Sequence, residues 1–394
     1  MRKATAALVG LLLAGVAATP AHAETIRSQQ WHLDAMKAEE IWKTSTGKGV
    51  TVAVIDTGVD QIPELEGQIL PGASFANGRI SGAEYNDYVG HGTGISAMIA
   101  ATGKHPSGDG AYGLAPGAKI LPIRVPDWID GDSSPSMVAA IRYAADSEAK
   151  VINISMSIGG TSETDQQRAE AVKYALSKGK LIFAAVGNEG GSSNETVYPA
   201  ATPGVVGVAG VDAKGEATKE SQHGPQVDLS APGIDIVTGC RGKTGLCKTR
   251  GTSDATALAS ASAALIWSAH PDWTNNQVLR VLLNTAGKPT SGAQRNDYIG
   301  YGVVRPRIAI ATPGDPGPAD VYPLPDLAAA AASGSKGSPS GSPDAKAPDA
   351  AAPAPAPQAE QKKESSLLPW IGLGLGACVL IGGAVTAVVV RRNR

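Results

Sequence analysis

The chain has 394 residues, 42% hydrophobic and 18% charged, enough for one large domain or two ordinary ones. A formal net charge of −2 excludes a bias toward nucleic acid or acidic substrates. The 48 glycines suit a loop-rich α/β protein, while much of the proline falls in one late segment.

The chain opens with Met1-Arg2-Lys3, an apolar run over 4–18 and then Ala21-His22-Ala23. A basic start, an apolar middle and an A-x-A site are the parts of a secretory signal, so residues 1–23 are expected to be cleaved. The apolar run is short for a bilayer span, which argues against a start anchor. Residues 34–42 then form an expected short amphipathic helix, and 46–49 a turn. Residues 50–55 are almost continuously apolar and β-branched, the signature of a strand buried on both faces. That run stops at Asp56-Thr57-Gly58. In open α/β sheets the functional crevice lies beyond the carboxyl ends of the strands, where Asp56 falls.

Gly90-His91-Gly92-Thr93-Gly94 reads as a loop feeding a helix, with His91 near its start and flanking glycines that permit close backbone approach. Strands are expected over 119–125, 150–155, 181–186 and 205–211, with a further apolar segment over 227–233. Helices are expected over 136–145, 165–178 and 274–284. Strands separated by helical patterns imply βαβ units and a mainly parallel sheet. The strand at 150–155 enters Met156-Ser157, and the one at 181–186 runs into Gly187-Asn188-Glu189-Gly190.

Arg250-Gly251-Thr252-Ser253-Asp254 reads as another helix start, with the Thr252 or Ser253 hydroxyl capping the first turn. Asp254 lies where the helix dipole favours an anion, and a serine there sits where developing negative charge is stabilised. Taken alone, this is an ordinary capped helix. Cys240 and Cys247 lie just before it. In an oxidising compartment a disulfide closing that loop is expected, two free thiols being the alternative. No histidine or further cysteine clusters with them, so neither a metal site nor a cofactor is expected.

Residues 313–366 are rich in Ala, Pro, Gly and Ser and read as an extended spacer after a body spanning 24–312. Residues 367–390 form an apolar run containing Cys378 and no charge, followed by Arg391-Arg392-Asn393-Arg394. The length suits a transmembrane helix, and the arginines put the 391–394 tail in the cytoplasm. The expected arrangement is single-pass type I at the cell membrane, with the body outside.

Three loop positions on one α/β scaffold now carry Asp56, His91 and Ser253. A serine is a poor nucleophile until a base takes its proton, and the base must be held in one tautomer by a carboxylate. Asn188 supplies an amide N–H suited to an oxyanion. The motifs Val54-Ile55-Asp56-Thr57-Gly58, Gly90-His91-Gly92-Thr93, Gly187-Asn188 and Gly251-Thr252-Ser253, in that order, resemble those of the subtilisin-type serine proteases over residues 31–313. The resemblance implies a three-layer α/β fold with a mainly parallel central sheet, followed here by the C-terminal membrane helix. It implies an endopeptidase with Ser253 as nucleophile, His91 as general base and then acid, and Asp56 orienting the imidazole. Asn188 and the Ser253 backbone N–H would form the oxyanion hole. Ser155-Met156-Ser157 matches the edge that pairs with an extended peptide substrate.

Signal, protease body, spacer and anchored basic tail together resemble the mycosins, membrane proteases of actinobacterial type VII secretion. No long propeptide is read between Ala23 and Trp31, which also resembles them. That likeness implies processing of secreted protein substrates and support of the membrane secretion complex. Two other readings are a structural component with dispensable catalysis and a general surface protease. Asp254, Gly94 and Ala257 depart from the family pattern, which has an apolar residue after the serine and a proline four residues after it. A carboxylate facing the imidazole would raise the pKa of His91, whereas one turned along the helix would only cap it.

Overall fold

The computed structural model describes residues 24–334, apart from 77–82, 127–133, 159–161 and 243–244. The expected signal at 1–23, the spacer beyond 334, the membrane helix at 367–390 and the tail lie outside the described residues.

Seven strands form one sheet: β1 (Thr51–Asp56), β2 (Ala73–Ser74), β3 (Lys119–Arg124), β4 (Val151–Ile154), β5 (Leu181–Ala185), β6 (Val206–Val211) and β7 (Leu229–Pro232). Their order is β2-β3-β1-β4-β5-β6-β7, and every neighbouring pair is parallel. Ten helices accompany them among the described residues. Three are N-terminal: α1 (Ile26–Gln29), α2 (Trp31–Ala35) and α3 (Ala38–Trp42). Next come α4 (His91–Ala100), α5 (Ser134–Asp146), α6 (Ser162–Ser177) and α7 (Thr252–Ala269). The last are α8 (Asn275–Thr285), α9 (Pro306–Ala311) and α10 (Asp326–Gly334).

The near-continuous apolar strands have a simple cause: both faces of the sheet are covered. Along β1, Val52 and Val54 pack with Ile95 and Met98 of α4, Leu258 and Leu265 of α7, and Val278 of α8. The intervening Ala53 and Ile55 pack on the other side with Met137 and Ile141 of α5 and Val172 of α6. Helices therefore sandwich the sheet, as the resemblance implies. The chain order reverses beside β1, which has β3 on one side and β4 on the other. That switch point opens a crevice at the carboxyl edge. Asp56 ends β1, Ser155 follows β4, and Asn188 lies just beyond β5.

Three stretches differ from the sequence reading. Residues 34–42 are two short helices, not one, because Lys37 takes a left-handed conformation with φ 61°. The break lets two tryptophans reach separate anchors: the Trp31 indole donates to the Ile234 and Asp235 carbonyls, and that of Trp42 to Leu114. Strands β8 (Ile236–Gly239) and β9 (Leu246–Thr249) form an antiparallel hairpin that the sequence reading lacks. The Cys240–Cys247 disulfide closes it, with the Cα atoms 5.8 Å apart. Finally, the first part of the compositional spacer is held on the body. The Arg280 guanidinium donates to the carbonyls of Pro316, Pro318 and Val321, and Gln277 to that of Gly317. Proline-rich chain offers carbonyls without matching N–H groups, and polar side chains of α8 supply the donors. Leu324, 4% exposed, then packs into the core.

Candidate active site

The site is built from β1 outward. Asp56 is 1% exposed, and its Oδ1 accepts from the Thr57 backbone N–H at 2.8 Å. The same oxygen meets His91 Nδ1 at 2.7 Å. This bond fixes the proton on Nδ1 and leaves Nε2 as the free acceptor of the ring. The approach requires glycine beside His91: a Cβ on Gly92 would lie 2.1 Å from the Gly58 carbonyl oxygen and 3.0 Å from Asp56 Cβ.

A second carboxylate, which the sequence reading missed, ties the two loops together. Asp87 is 1% exposed and accepts four hydrogen bonds. Its Oδ1 receives the Thr57 hydroxyl at 2.8 Å and the Gly90 N–H at 2.7 Å. Its Oδ2 receives the Thr93 N–H and hydroxyl at 2.8 and 2.6 Å. The available signal was an acid four residues before the histidine, with Thr93 two residues after that histidine able to bond it.

At the start of α7 the expected capping is reversed. Neither Thr252 nor Ser253 caps the helix; the N-cap is Gly251, with φ 144° and no side chain to donate or accept. Asn188 does the work from a distant loop. Its Oδ1 accepts from the Thr252 N–H at 2.9 Å and from the Thr252 hydroxyl at 3.1 Å. With the amide oxygen so committed, its NH₂ group is the end left to donate, as an oxyanion donor requires. Replacing Asn188 with Ala is expected to lower kcat by about 10²–10³ with little change in KM, measured on a cleaved peptide.

Ser253 lies at the helix N-terminus, 8% exposed. Its Oγ donates to the Ser155 carbonyl at 2.9 Å, and Ser155 Oγ donates back to the Ser253 carbonyl at 3.0 Å. Asn153 steadies Ser155 from β4, its amide donating to Ser155 Oγ at 3.0 Å. The structure thus joins Asp56 to His91 and Ser253 to Ser155, while the Ser253 hydroxyl is not bonded to His91. Met156 is buried, and Ser157 is the exposed member of the predicted substrate edge.

Asp254 faces the imidazole. It is 3% exposed and lines a cavity of about 280 Å³ together with His91 and the Cys240–Cys247 pair. Its Oδ2 accepts the Thr249 hydroxyl at 2.8 Å. Burial pushes its carboxyl up to about 6, against the Thr249 bond and the His91 charge. For His91, burial opposes the charged form. The Asp56 charge and hydrogen bond, with help from Asp254 and Asp87, outweigh it and push the imidazole up to about 9. A base must be neutral to accept a proton, so activity is expected to rise toward a midpoint near 9. Asp254→Asn removes an anion that favours imidazolium. It should move that midpoint down and raise activity several-fold at neutral pH, read from kcat/KM against pH on a peptide with an uncharged residue after the scissile bond. Among the described residues no three His, Cys, Asp or Glu side chains converge on a metal-sized site.

The Peptidase_S8 profile of the subtilase family matches residues 47–302, which contain all of these groups. The chain belongs to the subtilase family. This subtilase is 36% identical over 240 residues to a thermostable alkaline protease of Halalkalibacterium halodurans, a match covering 61% of this chain and 63% of that protein. It also resembles the crystal structure of MycP1 from Mycobacterium smegmatis, with TM-score 0.65 and 28% identity over 78% of this chain and 90% of that one. A chain in the periplasmic assembly from the ESX-5 inner membrane complex is similar too, with TM-score 0.65 and 27% identity. That match covers 81% of this chain and 90% of that one. The expected protease family and the likeness to mycosins are therefore both found.

Proposed function

We propose that this subtilase is a serine endopeptidase exported across the membrane, held outside by its C-terminal helix and working beside a type VII secretion complex. The observation that carries the catalytic part is the 2.7 Å bond between buried Asp56 and His91 Nδ1, at the same sheet edge as Ser253 and Asn188. In the first step the Ser253 hydroxyl leaves the Ser155 carbonyl for His91 Nε2, gives up its proton and attacks the scissile carbonyl. The Asn188 amide and the Ser253 N–H receive the oxyanion, and the N-terminal dipole of α7 favours the charge. His91 then protonates the departing amine, and water repeats the sequence to release the acid.

Similarity to MycP1 and to the ESX-5 periplasmic assembly supports the setting. So do the signal-like residues 1–23, the spacer, the apolar run at 367–390 and the basic tail. The test is a fluorophosphonate reaction on the full chain, with the adduct mapped by mass spectrometry. An adduct on Ser253 is expected, and its absence across the pH range where His91 is neutral would overturn the enzyme reading. Anchoring is tested by alkaline extraction of membranes: the full chain should stay in the pellet and a chain truncated before residue 367 should not. A structural role within the complex is the second reading. It is favoured by the Ser253–Ser155 bond, which keeps the nucleophile's proton away from its base at rest.

A further inference from the structure

The mechanism leaves one buried charge without a task. Asp254 is nine-tenths and more buried, yet only its Oδ2 is bonded, to Thr249; Oδ1 accepts nothing among the described residues. That oxygen is not among the sealed, unpartnered atoms of the core, so it retains access to the cavity that Asp254 lines.

The chemistry says what reaches that cavity. Asn188 and the Ser155 edge lie on the acyl side of Ser253, where the oxyanion and the preceding residues of the peptide are held. His91 hands its proton to the departing amine, so the residue after the scissile bond sits on the His91 side. The cavity of about 280 Å³ is on that side and is bounded by His91, Met98, the Cys240–Cys247 disulfide, Arg250 and Asp254. Met98 and the disulfide give it apolar walls, suited to the methylene stem of a long side chain. Asp254 places an anion among them.

We infer that Asp254 selects a basic residue, lysine or arginine, at the position immediately after the scissile bond. The stem runs along Met98 and the disulfide, and the cation meets Asp254 Oδ1. A buried carboxylate gains from such a partner because water solvates it poorly. Arg250 lines the same cavity but is exposed, so its charge is screened by solvent while that of Asp254 is not. A glutamate in the same position meets the buried anion and is disfavoured.

This inference rests on the protease reading, and the test separates the two. Three peptides, identical except for lysine, norleucine or glutamate after the cut, are incubated with the full chain in detergent and with its Asp254→Asn form. Wild type should cleave the lysine peptide with a kcat/KM about tenfold above the norleucine one. That ratio should fall toward one in Asp254→Asn. A changed His91 protonation affects all three peptides alike and cancels in the ratio. Raising the ionic strength of the wild-type assay gives a second reading independent of the variant's folding: the lysine preference should persist, since a buried pair is screened little. Equal cleavage of lysine and norleucine by wild type, or a lysine preference undiminished in Asp254→Asn, overturns the inference and leaves the protease reading standing. If no peptide is cut and no fluorophosphonate adduct forms, both fall.

Discussion

Ser253→Ala is expected to lower kcat by about 10⁶, the order seen when a subtilisin triad loses its serine, and to abolish the fluorophosphonate adduct. The structure makes this a clean substitution. Position 253 is the second residue of an 18-residue helix, whose backbone conformation alanine adopts without strain. What is lost is one hydrogen bond, from Oγ to the Ser155 carbonyl, worth about 1 kcal/mol. The reciprocal bond from Ser155 Oγ to the Ser253 carbonyl uses the backbone and survives. The melting temperature should therefore stay close to that of the native chain while turnover vanishes. Retained turnover with an unchanged melting temperature would mean that another group attacks the substrate.

The separation between what sequence revealed and what it concealed follows the range of the interactions. Strand β1 and Asp56 were legible because a strand buried on both faces writes a continuous apolar run into adjacent positions. His91 and Ser253 were legible because each is embedded in a short contiguous motif. The cap of α7 was not. Local rules look for a hydroxyl at the helix start, but the cap oxygen comes from Asn188, which is 64 residues away. The same distance hid the commitment of the Asn188 amide oxygen, which settles which end of that side chain can donate. The orientation of Asp254 depends on Thr249, in a hairpin whose strand Leu246–Thr249 is largely half-exposed and has no clean alternation. Composition also misled at 313–326, where packing against α8 orders a segment whose residues alone describe a spacer.

Asp56→Asn should cost about 10⁴ in kcat, and the reason is tautomeric. Asp56 Oδ1 accepts both from the Thr57 N–H and from His91 Nδ1. One oxygen serves both donors, so an asparagine that keeps its oxygen there strands its NH₂ at the Oδ2 position, which is buried without a partner; the alternative turns the NH₂ toward the ring and gives up the Thr57 bond. His91 Nδ1 must then accept, and the ring proton moves to Nε2, the atom proposed to receive the proton of Ser253. Loss of the anion also lowers the pKa of His91, from which the Asp56 charge and hydrogen bond are the leading upward influences. The two effects are separable in a pH–rate profile. In Asp56→Asn the midpoint falls below about 9 while the plateau drops by about 10⁴, because raising the pH deprotonates the ring without restoring the tautomer. In Asp254→Asn the midpoint falls and the plateau holds, since Asp254 contributes charge and no hydrogen bond to the ring. A plateau that survives in Asp56→Asn would reduce Asp56 to a second source of field, and the orientation of His91 would then have to come from Asp87 and the loop it ties.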